Sequence, residues 1–142
     1  MNLAAVLKEK GSQVLTIGPS DSVRDAVDRL GEKRIGALVV VDSGRIAGIM
    51  SERDVIYCLR AHGTEVLDWP VSRVMTADVI TVEPTTPILS ALALMTERRI
   101  RHLPVESSGQ LAGIASIGDL VKYRMQQIEL EAQAMRSYIQ AV

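Results

Sequence analysis

The sequence predicts an α+β fold of two pseudo-two-fold related units, each running strand, helix, strand, strand, helix, packed as one module and followed by a C-terminal helix. Three observations carry that expectation. Moved forward by 65 positions, the stretch from Val14 to Ile56 lies on Val79 to Val121 without a gap: Thr16 falls on Thr81, Pro19 on Pro84, Arg34-Ile35 on Arg99-Ile100, Gly48-Ile49-x-Ser51 on Gly113-Ile114-x-Ser116, and Asp54 on Asp119. Within each copy, short β-branched runs alternate with apolar residues at helical spacing. The composition, 47% hydrophobic with no Phe, supplies Val, Ile, Leu, Ala and Met, which suit strands covered by small-residue helices.

Each copy opens with a strand, Val14–Ile17 or Val79–Val82, and a Pro-containing turn. A helix follows, with Val23, Ala26, Val27 and Leu30 on one face in the first copy and Ile88, Ala91, Leu92 and Met95 in the second. Asp21 and Thr86 are the expected N-caps, with Pro87 at the first helical position, where its missing N–H costs nothing. Strands at Ala37–Val41 and Leu103–Val105 are joined through Asp42-Ser43-Gly44 and Ser107-Ser108-Gly109 to strands at Arg45–Met50 and Gln110–Ala115, the pattern of a hairpin. A second helix starts at Ser51 or Ser116, and in the first copy it ends at His62-Gly63. Gly63–Pro70 reads as the connector, leading into a short helix at Val71–Met75. The tail, Val121 to Val142, places Met125, Ile128, Ala132, Met135 and Ile139 on one helical stripe.

Two units of about 60 residues are each marginal alone, so they should share one body, the two sheets packing through their helices. The expected organisation is repeat one over 1–65, repeat two over 66–125 and a helical tail over 126–142. A formal net charge of −1 gives no reason to expect a nucleic-acid partner. The single cysteine, Cys58, excludes an internal disulfide and a Cys-based zinc site. No apolar run reaches the length of a membrane span, and Lys8, Glu9 and Lys10 stand where a signal peptide is apolar, so the expected setting is cytoplasmic. No triad, HExxH, metal-ligand spacing or Gly-rich phosphate loop is present, which argues against an enzyme.

Thr16-x-x-Pro19, a helix, Leu38-x-Val40 and then Gly48-Ile49-x-Ser51-x-x-Asp54, in that order, resemble the CBS domain, named after cystathionine β-synthase. The second copy, with Arg101-His102-Leu103-Pro104-Val105 and Gly113-Ile114-x-Ser116-x-x-Asp119, resembles it more closely still. The tandem pair, a Bateman module, covers about residues 1–125 and is similar to stand-alone members grouped with signal-transduction proteins. The resemblance implies a regulatory module that binds an adenosine-containing ligand in clefts between the repeats: AMP first, then ADP, ATP, S-adenosylmethionine or NAD. It implies no catalytic cofactor, a homodimer shaped as a flat disc, and a regulated protein acting in trans.

Ser51-x-x-Asp54 and Ser116-x-x-Asp119 are the sharpest candidates. The pattern is also that of a helix cap, Ser bonding the N–H three residues on. In the family this Asp grips the ribose diol and the Ser holds ribose or phosphate, while the helix start offers N–H groups to an anion. By the same resemblance Thr16 and Thr81 border the ligand, and Ile35-Gly36-Ala37 and Ile100-Arg101-His102 read the adenine edge and sandwich its ring. Plain strand or core packing accounts for several of these equally well. Arg101 and His102 suit a cleft better than a core, and with Arg53 they would supply positive charge for phosphates. Gly36-Ala37 stand where the second copy has Arg101-His102, and Val39 where it has Pro104, so the two clefts should bind unequally. The competing reading is a ligand-free interaction or dimerisation module with vestigial clefts.

Overall fold

The chain begins with α1 (Leu3–Lys10), capped by the Asn2 side chain, which accepts from the Ala5 N–H. The first copy then runs β1 (Thr16–Ile17), α2 (Val23–Lys33), β2 (Ala37–Asp42), β3 (Arg45–Ser51) and α3 (Glu52–His62). A 3₁₀ segment (Gly63–Asp68) and the short α4 (Val71–Val74) lead into the second copy: α5 (Ile88–Arg98), β4 (His102–Ser107), β5 (Gln110–Ser116) and α6 (Ile117–Ala141). This computed structural model describes residues 1–11 and 13–141; Ser12, and Val142 at the end of the expected tail, lie outside the described residues.

The hairpins follow the turn chemistry. Ser43 and Gly44 both have positive φ (53° and 79°), as do Ser108 and Gly109, the backbone twist that joins tightly paired strands. Both hairpins carry a register shift at the same place, between Val40 and Val41 and between Val105 and Glu106. β1 adds in parallel to β2, pairing Thr16 with Val39. The second sheet departs from the expected strand at Val79–Val82, which is reduced to a single parallel bridge, Val82 to Val105. Pro104 is the reason: it stands where the first copy has Val39 and has no N–H to give the ladder.

The helix caps differ by one residue from expectation. Ser22, not Asp21, caps α2, accepting from the Asp25 N–H, while the Asp21 carboxylate accepts from the Gly18 N–H at 2.8 Å. Pro87 is the cap position of α5, so the helix starts at Ile88 rather than at the proline. α3 ends at Gly63 as expected, its φ of 77° being one that glycine adopts readily.

The expected connector is not a loop. Val66 in the 3₁₀ segment and Val71 and Val74 in α4 are buried in the first core with Val23, Leu38 and Met50. Correspondingly, Leu3, Val6 and Leu7 of α1, within the stretch assigned to repeat one, pack into the second core with Ile88, Met95 and Leu103. Each unit is thus completed by a helix that precedes the other. The helix starts pair antiparallel, Asn2 with Pro87 and Ser22 with Pro70. The units meet β3 to β5 and through these exchanged helices, not through α2, α3, α5 and α6 as expected.

Two glycines admit the exchanged helices. A Cβ at Gly48 would lie 2.6 Å from Met75 Sδ and 2.8 Å from the Thr76 carbonyl oxygen; one at Gly113 would lie 2.6 Å from Leu7 Cδ2. α6 continues without a break from Ile117 to Ala141, with Leu120 buried in the second core. Among the described residues no helix is long and apolar enough to cross a membrane. Because the atom opposing Gly48 is backbone, a Gly48→Ala substitution should destabilise the protein by about 1–3 kcal/mol in denaturant unfolding, as overpacking typically does.

Candidate functional site

A cleft of about 270 Å³ lies between the two units. One wall is the lead into β2 at Gly36 and the junction from β3 into α3, Ser51 to Asp54; the other is the lead into β4, Arg99 to His102, with Pro104. The crossing segment after α4, with Thr76, Asp78, Val79 and Ile80, closes the cleft along its length. Thr76 is held there by exchanging both backbone hydrogen bonds with Ile49, at 2.9 and 3.0 Å.

At its centre Ser51 and Asp54 cap α3 reciprocally. The Asp54 N–H donates to Ser51 Oγ at 3.2 Å, and the Ser51 N–H and hydroxyl donate to Asp54 Oδ2 at 2.9 and 3.0 Å. All three bonds leave Oδ1 of Asp54 without a hydrogen bond among the described residues. A capping role and a free carboxylate oxygen therefore coexist, as the helix start allows. Arg53, Arg99 and Arg101 line the same cleft.

The pseudo-symmetric position is different. Ser116 and Asp119 form the same reciprocal pair, Ser116 N–H to Asp119 Oδ2 at 2.9 Å and Asp119 N–H to Ser116 Oγ at 3.1 Å. Here, however, the Lys10 ammonium also donates to Asp119 Oδ2 at 2.6 Å and to the Ile114 carbonyl at 2.8 Å. In the first unit the equivalent Ile49 carbonyl takes its bond from the Thr76 backbone. Burial alone would raise the Asp119 carboxyl; the Lys10 hydrogen bond and those from the Ser116 N–H and hydroxyl outweigh it and hold the group below its ordinary value. A half-exposed pair of this kind is worth on the order of 1 kcal/mol.

Of the residues expected from the sequence, Gly36, Ser51, Arg53, Asp54, Ile100, Arg101, His102 and Pro104 come together in the cleft. Thr16, Ile35, Ala37, Thr81, Ser116 and Asp119 do not line it. Ala37 is buried, Ile35 packs against the first core, and the Thr16 carbonyl accepts from the Arg29 guanidinium at 2.7 Å. Thr81 lies next to the Val82 bridge. Sequence reasoning missed Lys10 and the crossing segment from Thr76 to Ile80. A signal existed: shifted by 68 positions instead of 65, Leu3-x-x-Val6-Leu7 falls on Val71-x-x-Val74-Met75, the pair of exchanged helices.

His102 stands between the two positions. Its ring lies where a Cβ at Gly36 would be 3.0 Å from Cε1, so the glycine makes room for the imidazole. Desolvation first, then the charges of Lys10 and Arg101, push its pKa below the ordinary value, against the opposing pull of Glu52 and Asp119. Among the described residues no group of three His, Cys, Asp or Glu could hold a metal ion.

Two hairpin units completed by each other's helices, with a cleft between them at a Ser-x-x-Asp helix start, define a paired module of two repeats. The chain belongs to the CBS domain family, whose model matches residues 11–61 and 71–126. It is 37% identical over 147 aligned positions to the mitochondrial CBS domain-containing protein CBSX3 of Arabidopsis thaliana, covering 97% of this chain and 71% of the relative. Among solved structures it superposes on the CBS-domain containing protein ATU1752 from Agrobacterium tumefaciens with a TM-score of 0.84 and 39% identity, covering 87% of this chain and 99% of the other. The CBS domain pair of protein MJ0100, solved in complex with 5′-methylthioadenosine and S-adenosyl-L-methionine, shares the fold at a TM-score of 0.79 and 21% identity, covering 89% of this chain and 98% of the other.

The lowered His102 pKa sets a pH dependence. The folded state disfavours the imidazolium, so the unfolded chain binds more protons as pH falls. The stability contributed by neutral His102 is present above about pH 6.5 and is lost as pH drops through the folded value. Urea unfolding followed from pH 7.5 to 5 should show this loss, and His102→Gln should flatten that part of the profile.

Proposed function

We propose that this protein is a sensor of adenosine-containing nucleotides that takes one ligand per chain, in the cleft at Asp54, and passes the occupancy to a partner as a change in how its two units are angled. The observation that carries the reading is the contrast between the two aspartates: Asp54 lies in the inter-unit cleft, with three arginines among its lining residues and no lysine on its carboxylate, whereas Asp119 is paired with Lys10 and lies outside that cleft. The free Asp54 oxygen would accept a ribose hydroxyl. The α3 start with Arg53, Arg99 and Arg101 would take phosphates, Arg in bidentate fashion. Gly36, Ile49, Val79, Ile80, Ile100 and Pro104 would enclose the adenine. The ligands of the MJ0100 pair support an adenosine core as the common element; AMP is the first candidate, with ADP, ATP, NAD and S-adenosylmethionine as the others.

The signal is a population shift: a nucleotide bound to both walls favours the arrangement in which they are closest. Phosphate near His102 would also favour the imidazolium, so binding of a phosphorylated ligand should tighten as pH falls towards 6. A cytoplasmic setting, a homodimer, a regulated protein acting in trans and no catalytic turnover complete the reading. A ligand-free interaction module remains the second reading, favoured by the caps that Ser51, Asp54, Ser116 and Asp119 form without any ligand.

Calorimetric titration and thermal unfolding with AMP, ADP, ATP, NAD and S-adenosylmethionine separate the two. At 100-fold excess over Kd a ligand bound only by the folded state adds about 2.7 kcal/mol, several degrees in Tm at this size. The expected result is one equivalent bound, with affinity at least tenfold weaker in Asp54→Asn, which keeps a capping oxygen, and little changed in Asp119→Asn. Loss of binding with Asp119→Asn alone would reverse the assignment of the two clefts. No stabilisation by any of the five ligands, in folded and nucleotide-free protein, would leave the interaction module as the function.

A further inference from the structure

The last five turns of α6 carry a pattern that neither the cleft nor the core uses. Val121, Met125, Ile128, Ala132, Met135 and Ile139 follow one another at alternating intervals of four and three residues, the a/d repeat of a coiled-coil seam. Setting Met125, Ala132 and Ile139 at a puts Val121, Ile128 and Met135 at d. The seam is turned away from the rest of the protein: Leu120, buried in the second core, and Tyr123, packed against it, lie on the opposite side of the helix. Met125, Ile128, Met135 and Ile139 are 64%, 49%, 60% and 65% exposed. A strict 3.5-residue period over three heptads differs from the broader apolar face by which a helix covers a globular core.

The charges flanking the seam specify the occupant. Arg124 and Glu131 fall at g, Lys122, Glu129 and Arg136 at e. In a parallel, in-register pair, each g residue faces the e residue five positions further along the other helix. Arg124 then meets Glu129 of the second copy and Glu131 meets Arg136, both opposite in sign and each occurring twice by symmetry. Antiparallel pairing with the seams fully overlapped would set Glu129 against Glu129, Glu131 against Glu131 and Lys122 against Arg136, all like charges. Within one chain Arg136 is 3.2 Å from Glu129, an exposed pair free to rearrange.

We propose that α6 is the self-association element of this protein, joining two copies of the chain as a parallel, two-stranded coiled coil from Val121 to Ile139. The seam is about 28 Å long at 1.5 Å per residue, and the two modules sit on opposite outer sides of it, because each helix uses its far side for its own core. This inference is independent of which ligand fills the cleft, or whether any does.

Sedimentation equilibrium of the full chain between about 1 and 100 μM tests it, with circular dichroism confirming that each variant is folded. The wild type should dimerise, Ile128→Asp should be at least tenfold weaker with the module's melting unchanged, and Arg124→Glu should also weaken the dimer. Arg124→Glu/Glu129→Arg should restore it, a rescue that only the parallel pairing provides. In a Cys58→Ser background, Ile139→Cys should form a symmetric disulfide between copies under mild oxidation. A monomer at every concentration, a dimer indifferent to Ile128→Asp, or a dimer that neither cross-links at position 139 nor is rescued by the charge swap would each overturn the proposal.

Discussion

The exchange of helices between the two units is the constraint on which the rest of the structure depends. Neither repeat has enough of its own sequence to close a core. The first is closed by Val71 and Val74 of α4, the second by Leu3, Val6 and Leu7 of α1. Close approach is possible because Gly48 and Gly113 carry no side chain where Met75, Thr76 and Leu7 pass. The cleft follows from the same arrangement. The chain leaving α4 must run across the inter-unit face to reach the second copy, and its backbone pairing with Ile49 builds one side of the site.

Pseudo-symmetry makes two equivalent positions, and small departures from it give them different chemistry. The segment leaving α4 reaches β3 through a backbone N–H from Thr76, whereas at the end of α1 a side-chain ammonium takes the corresponding place on β5. That one difference commits Asp119 to an internal cation and leaves Asp54 without one. Pro104 adds a second departure, thinning the parallel pairing of the second sheet to one bridge and placing a rigid apolar ring in the cleft wall where the first copy has a buried valine.

Much of this was legible in the sequence. The repeat at one fixed offset gave the order of elements, because strand and helix periodicities, Ser-Gly turns and Ser-x-x-Asp helix starts are local signals that survive in both copies. Eight of the fourteen expected site residues meet in the cleft, since they sit at the hairpin ends that the pseudo-two-fold axis brings together. The exchange was hidden for a physical reason. It is long-range, it lies in segments outside the 65-residue offset, and Gly63-Thr64-Glu65 carries the composition of a linker. Lys10 was likewise invisible as a site residue, because a lysine next to Lys8 and Glu9 reads as a solvated helix end until the fold carries it to Asp119. The loss of the strand at Val79–Val82 was not legible either, because the missing N–H of Pro104 matters only once its ladder partner is known.

The exchange also sets the order in which a growing chain can become protein. Everything the first core requires, from Ile17 to Val74, has been made well before the chain reaches Leu120 of the second core. The second core needs its earliest residue, Leu3, and one of its last, Leu120. While the residues between them are being made, the apolar face of α1 therefore has no companion, and a segment synthesised ahead of both repeats is among the last to find its place.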